Sequence, residues 1–171
     1  MPLWVAHEAA HAVRYTSPTS RSALRALVHE SDGYYSYWET GRRAPLRELL
    51  MNEGLAVQVS QAVSPGHAAW EYFGYARRQF ARVRELEQVT MRALATDLDH
   101  AGLGLRLRYL SGGMSDEART IEGRYVLPER SGYYIGARMV EPAVNERGFA
   151  WSVRASAAEL SELARASVAT A

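Results

Sequence analysis

The sequence predicts a mainly α-helical protein. Three observations carry that expectation. Apolar residues recur at helical spacing over long stretches, proline and glycine fall at the ends of those stretches, and the alternating patterns that mark strands are few. At 171 residues, 47% of them hydrophobic, the chain suits one compact domain, expected to span residues 1–171, with a sizeable core.

The elements follow in order. Pro2 suits the first turn of a helix, because its missing N–H would be unpaired there. That helix is expected from Leu3 to Tyr15, stopping before Ser17-Pro18. A short apolar segment runs from Ala23 to His29. Residues 31–44, with Asp32-Gly33-Tyr34-Tyr35-Ser36-Tyr37-Trp38, read as a loop rich in glycine and aromatics. A second clear helix runs from near Pro45 to Val63 and is closed by Ser64-Pro65-Gly66. Phe73, Phe80, Val83, Leu86, Met91 and Leu94 make Ala68 to Asp99 the longest periodic stretch, ended by Gly102 and Gly104. Residues 105–130 carry turn signals at Gly112-Gly113 and Pro128. Further helices are expected over Ser131–Asn145, with Pro142 as a candidate kink, and over Ala155–Ser167, after a short segment at Phe149–Val153. No internal repeat, low-complexity tract or linker interrupts the chain.

Composition narrows the function classes. The formal charge is +1, all twenty basic residues are arginine, and acidic residues are interspersed among them. No one-sided basic face results, so nucleic-acid binding is not expected. No run approaches the roughly 18 apolar residues that span a bilayer, and Met-Pro-Leu-Trp-Val-Ala-His is not a secretory signal. With 0 cysteines, disulfides and thiolate metal sites are excluded, and a cytoplasmic location is expected. Any metal must be held by histidine and carboxylate.

The strongest local feature is His7-Glu8-Ala9-Ala10-His11 in the first helix. Residues four apart share one helical face, so both imidazoles can reach one cation. Glu8, offset by one residue, can stand beside the metal and take a proton from water without being a ligand. The bland reading is a surface helix with two exposed histidines. Against it, Val5, Ala6, Ala12 and Val13 suggest burial on most sides, and buried histidines need partners. A catalytic zinc site takes three protein ligands and one open position. The best third ligand is Glu53, in Met51-Asn52-Glu53-Gly54-Leu55-Ala56, the bland reading there being a solvated glutamate. Small Gly54 and Ala56 would let the second helix approach the first.

Asn52-Glu53-Gly54-Leu55-Ala56 resembles the glutamate motif of gluzincin peptidases, including the M1-type aminopeptidases. The interval between His11 and Glu53, residues 12–52, is longer than theirs. The better resemblance is to the predicted Zn-dependent proteases known as domain of unknown function 2268. It rests on Ala6-His7-Glu8-Ala9-Ala10-His11-Ala12-Val13-Arg14, on Asn52 to Ala56, and on Pro128-Glu129-Arg130-Ser131-Gly132-Tyr133-Tyr134-Ile135-Gly136, with a similar tail from Ser156 to Ser167. It covers nearly the whole chain, though only the first two motifs are specific. It implies a zincin-like helical domain with one zinc on His7, His11 and Glu53, a peptide or protein substrate, and Glu8 as general base. Tyr133, with Tyr134 as the alternative, would stabilise the oxyanion. Two departures stand out. Where thermolysin-like gluzincins have an aspartate orienting a histidine, this sequence has Val57. His7 also leaves no room for the upstream sheet of such peptidases, so the chain is expected to correspond to their C-terminal, metal-binding part.

Other readings compete. The loop carrying Tyr34, Tyr35, Tyr37 and Trp38 is either a lid over the metal or a packed surface loop. His29, His67 and His100 read as surface or capping residues. Arg14 pairs with either a structural or a substrate carboxylate. Glu8-x-x-His11 with Asp97-x-x-His100 would suit a di-iron bundle, but two bridging glutamates are not evident. A non-catalytic helical metal-binding or interaction module is the main alternative to a hydrolase.

Overall fold

A computed structural model describes residues 2–169 of the chain. Helix α1 (Leu3–Thr16) starts directly after Pro2, whose carbonyl accepts from the Val5 and Ala6 amides, and stops ahead of Pro18. Helices α2 (Ala23–Glu30) and α3 (Tyr37–Arg43) are short, and a serine caps each. Ser22 accepts from the Leu24 amide and Ser36 from the Glu39 amide, satisfying donors that a helix start leaves free. Helix α4 (Leu46–Val63) has no side-chain cap. Its first amides go instead to chain carbonyls, Leu46 N–H to His100 and Arg47 N–H to Leu98, both at 2.9 Å. A 3-10 turn (Glu71–Phe73) precedes α5 (Arg77–Glu85), α6 (Glu87–Asp97), α7 (Leu103–Leu110) and α8 (Asp116–Arg119). Strands β1 (Thr120–Ile121) and β2 (Tyr125–Val126) pair antiparallel, Thr120 opposite Val126. The chain ends in α9 (Ser131–Arg147), α10 (Phe149–Ser152) and α11 (Ala157–Ala169). Ser156 and Glu159 cap α11 reciprocally, each side chain accepting from the other's backbone amide.

The protein is mainly helical, and among the described residues the β1–β2 hairpin is the only sheet. Two expectations need correction. Residues 31–44 are not all loop, because Ser36 and Glu39 start α3. Nor is the periodic stretch from Ala68 to Asp99 one helix. Gly74 adopts a left-handed conformation (φ 63°) after the 3-10 turn, and Leu86 (φ −93°, ψ 7°) breaks α5 from α6. Pro142 is accommodated within α9, which continues to Arg147. No helix among the described residues is long and apolar enough to cross a membrane.

Helix α4 is the axis of the core. Every residue from Glu48 to Val57 is buried, with α1 packed on one side and α9 on another. The glycine at position 54 serves the contact with α9 rather than the expected one with α1. A Cβ on Gly54 would lie 2.1 Å from the Gly136 carbonyl carbon, and a Cβ on Gly136 would lie 2.0 Å from the Leu50 oxygen. The two helices therefore touch backbone to backbone, which only glycine permits at both positions.

Helix α1 is one-sided, not buried on most sides as its flanks suggested. Ala6, His7, Ala10, His11 and Arg14 are buried, whereas Trp4 and Val5 are 48% and 52% exposed and Val13 is 36% exposed. Arg14 is 0% exposed and meets a structural carboxylate. It donates to Glu48 at 3.0 Å and to the Ala155 carbonyl at 3.1 Å. Glu48 also accepts from the Ser22 hydroxyl and the Ala23 amide. This closed cluster ties α1, α4, the start of α2 and the segment after α10 together.

Candidate metal centre

One helical turn along α1 from Arg14, the same pair of helices forms a different cluster. His7 and His11 face α4 at the level of Glu53. Their Nε2 atoms are 3.2 Å apart, and the Glu53 Oε2 lies 3.3 Å from His7 Nε2 and 3.4 Å from His11 Nε2. All three residues are buried, and they form a group able to hold a metal ion. The three atoms make a near-equilateral triangle. Acceptor atoms this close repel unless a proton or a cation lies between them.

The electrostatics follow. Burial lowers the His11 pKa, but the adjacent Glu53 carboxylate, accepting from the ring, outweighs it and raises the value above 6.5. Burial likewise pushes Glu53 up, yet His11 and then His7 hold it well below the ordinary carboxylate range. The glutamate is therefore ionised and ready to act as a ligand.

The rings are fixed by stacking more than by hydrogen bonds. Trp4 meets His7 edge to face at 5.8 Å, and Tyr133 stacks on it at 6.3 Å. Tyr15 stacks on His11 at 5.7 Å with planes 4° apart. The Tyr15 hydroxyl accepts from the Asn52 amide at 2.8 Å. The Nδ1 atoms of both histidines are buried without a hydrogen-bond partner, as is Asn52 Oδ1. Metal-ligating histidines usually donate from their second nitrogen to a carboxylate or carbonyl. Val57 takes the place of that carboxylate, and at His11 the Asn52 side chain interacts with the ring and favours its protonated form.

The remaining candidates sort clearly. Glu8 is exposed, one residue off the ligand face, and close enough for its charge to favour the protonated form of His11. Tyr133 is half-buried beside His7, its pKa raised by burial and by Glu53. Tyr134 points elsewhere and donates to Glu87 at 2.8 Å. His29, His67 and His100 are exposed and belong to no metal-ligating group among the described residues. Asp97 accepts from the Tyr109 hydroxyl at 2.8 Å, and His100 meets the Thr96 carbonyl, so that pair is committed locally. Of the aromatic loop, Tyr34 and Trp38 are 72% and 54% exposed. Tyr35 packs inward on Tyr15 at 4.9 Å and accepts from Arg106 at 2.9 Å.

Several residues of the site were not singled out from sequence. Trp4 and Tyr15 lie three before His7 and four after His11, so helical spacing alone places them on the ligand face. Arg106 and Arg130 arrive from distant segments and carry no local signal, whereas Tyr35 belongs to the aromatic loop already weighed as a lid. The chain matches no known family model, no curated protein and no solved structure.

Proposed function

We propose that the protein is a zinc-dependent hydrolase of peptide bonds, with His7, His11 and Glu53 as the metal ligands. The observation that carries this is the triangle of ligand atoms. Its edges of 3.2, 3.3 and 3.4 Å suit the about 3.3–3.4 Å that separates ligands around a tetrahedral ion with bonds of about 2.0–2.1 Å. Two neutral nitrogens and one carboxylate oxygen are also a donor set that suits zinc. When bound, zinc supplies Lewis acidity, which polarises a carbonyl and makes water a stronger acid.

The chain's own residues would do the rest. The exposed Glu8 carboxylate takes the proton from the attacking water and passes it to the departing amine. Tyr133, kept protonated by its raised pKa, donates to the carbonyl oxygen as negative charge develops there. Exposure of Glu8, Trp4 and half of Tyr133 leaves this face open to a peptide.

A second reading has one observation in its favour. The unpartnered Nδ1 atoms leave the ligands less firmly oriented than in most catalytic sites, which suits a metal-binding module without chemistry. Glu8→Gln separates the two. The substitution is expected to keep one zinc per chain and to lower peptide hydrolysis by about 10²–10⁴-fold. No hydrolysis of a broad peptide library by the unmodified zinc-loaded protein would instead support the module.

A further inference from the structure

The surroundings of His7 bear on what such a site binds, an inference that rests on the hydrolase reading. Arg130 opens α9 with φ at 59°, a left-handed backbone that arginine rarely adopts. Three contacts hold it there. Its N–H donates to the Ser111 carbonyl at 3.3 Å, and its own carbonyl accepts from the Tyr75 hydroxyl at 2.6 Å and from the Tyr133 amide at 3.0 Å. An outlier so held is a reason to look for function.

The side chain is laid across the rim of the metal centre. Its guanidinium carbon sits 4.5 Å from the Tyr133 ring centroid, and Tyr133 stacks on His7. On the far side, Gly74 makes room. A Cβ there would lie 3.0 Å from Arg130 Nη1 and 3.0 Å from the edge of the Trp4 ring. The guanidinium makes a long bond, 3.4 Å, to the Gly74 carbonyl and interacts with the Tyr133 hydroxyl, and no carboxylate among the described residues is at ion-pair distance. Glu129, its neighbour in sequence, is turned to the Gly113 amide instead.

A second cation without a carboxylate partner among the described residues lies two rings beyond His11. Arg106 is 4% exposed, with only neutral oxygens of Tyr37, Thr40 and Tyr35 and the Tyr37 ring, at 3.6 Å, around it. Tyr35 links it to Tyr15 and so to His11. A buried charge without a counter-ion is unfavourable, and an arriving anion offsets that.

We propose that the site takes peptides bearing a carboxylate next to the scissile amide. Arg130 binds that carboxylate at the His7 rim, and Arg106 strengthens the positive field behind it. The carboxylate comes either from a free peptide C-terminus or from an Asp or Glu side chain.

Four dye-labelled pentapeptides test this. They combine a C-terminal acid or amide with Glu or Gln at the central position. Each is titrated by fluorescence anisotropy into the Glu8→Gln protein in zinc-containing buffer, so that cleavage is blocked. Peptides with a carboxylate are expected to bind at least about tenfold more tightly than the amide–Gln peptide, as a charge-assisted bidentate contact provides. Preference for the acids assigns the C-terminus, and preference for the Glu peptides assigns the side chain. Arg130→Gln should abolish the preference. Arg130→Gly should do so too, and it suits the left-handed backbone, which guards against misfolding. Equal binding of all four peptides, binding of none, or a preference surviving in both variants overturns the proposal. Elemental analysis of the same samples separates it from the zinc reading. An Arg130-dependent preference in protein holding no metal keeps this proposal and removes zinc, whereas bound zinc without any preference does the reverse.

Discussion

Helices α1 and α4 share two buried charged clusters, and the clusters are built on opposite principles. In the first, Arg14 and Glu48 close on each other. The carboxylate accepts from a guanidinium, a hydroxyl and an amide, while the guanidinium also reaches a carbonyl. In the second, His7, His11 and Glu53 bring three potential ligand atoms within 3.4 Å of one another and leave both Nδ1 atoms without partners. The first cluster pairs its charges within itself, with only Arg14 Nε left without a partner, so it reads as structure. The open one could hold a metal ion, so it reads as a candidate site.

Breaking the closed cluster should have the larger effect on the fold. Glu48→Ala leaves Arg14 buried without its counter-ion and is expected to cost about 3–5 kcal/mol in urea denaturation. Glu53→Ala, in chelator-treated protein, should cost less, because His11 can shed its proton once its counter-ion is gone, whereas Arg14 stays charged. Equal losses would erase the distinction between the clusters.

Gly54→Ala tests the axis that sets both. The added methyl would collide with the α9 backbone, so a destabilisation of about 3 kcal/mol, the upper end for overpacking, is expected in the same assay. A neutral substitution would mean that α4 and α9 do not touch as described.

The smallest expected effect is the pH dependence of the open cluster. The His11 pKa is raised above 6.5, so in metal-free protein its protonated form contributes stability below 6.5 that fades as pH rises through the folded value. Glu53 is depressed, so its contribution is present above 4.5 and is lost as pH falls. Metal must displace the His11 proton. Affinity is therefore expected to rise about tenfold per pH unit up to the raised value, with proton release near neutral pH, measured by calorimetry in two buffers. A flat profile between pH 6 and 7, taken as roughly the region of the ordinary histidine value, contradicts the described coupling.

Much of this was legible in the sequence, and for identifiable reasons. The four-residue spacing of His7 and His11 is a helical property, so the ligand face could be read directly. Pro2, Pro45 and Ser64-Pro65-Gly66 bounded α1 and α4 to within a residue or two. Other features depend on contacts distant in sequence. Gly54 advertised a close approach, but only the fold shows that Gly136 of α9 is the partner. Helical periodicity ran through Leu86, where packing, not composition, separates α5 from α6. Helix α3 did carry a local signal, the Ser36-x-x-Glu39 capping pattern, hidden among the aromatics around it. Arg130 and Arg106 had no such signal, since nothing near them in sequence tells which ring they will cover.

The central claim is tested most directly by counting zinc. Protein freed of metal, incubated with zinc and passed through a desalting column should retain about one ion per chain by elemental analysis. Glu53→Ala should bind at least about 100-fold more weakly, beyond what loss of an outer-shell partner produces, while remaining folded. Retention of zinc by Glu53→Ala as tightly as by the unmodified chain, or no retention by either, would contradict the assignment of His7, His11 and Glu53 as its ligands.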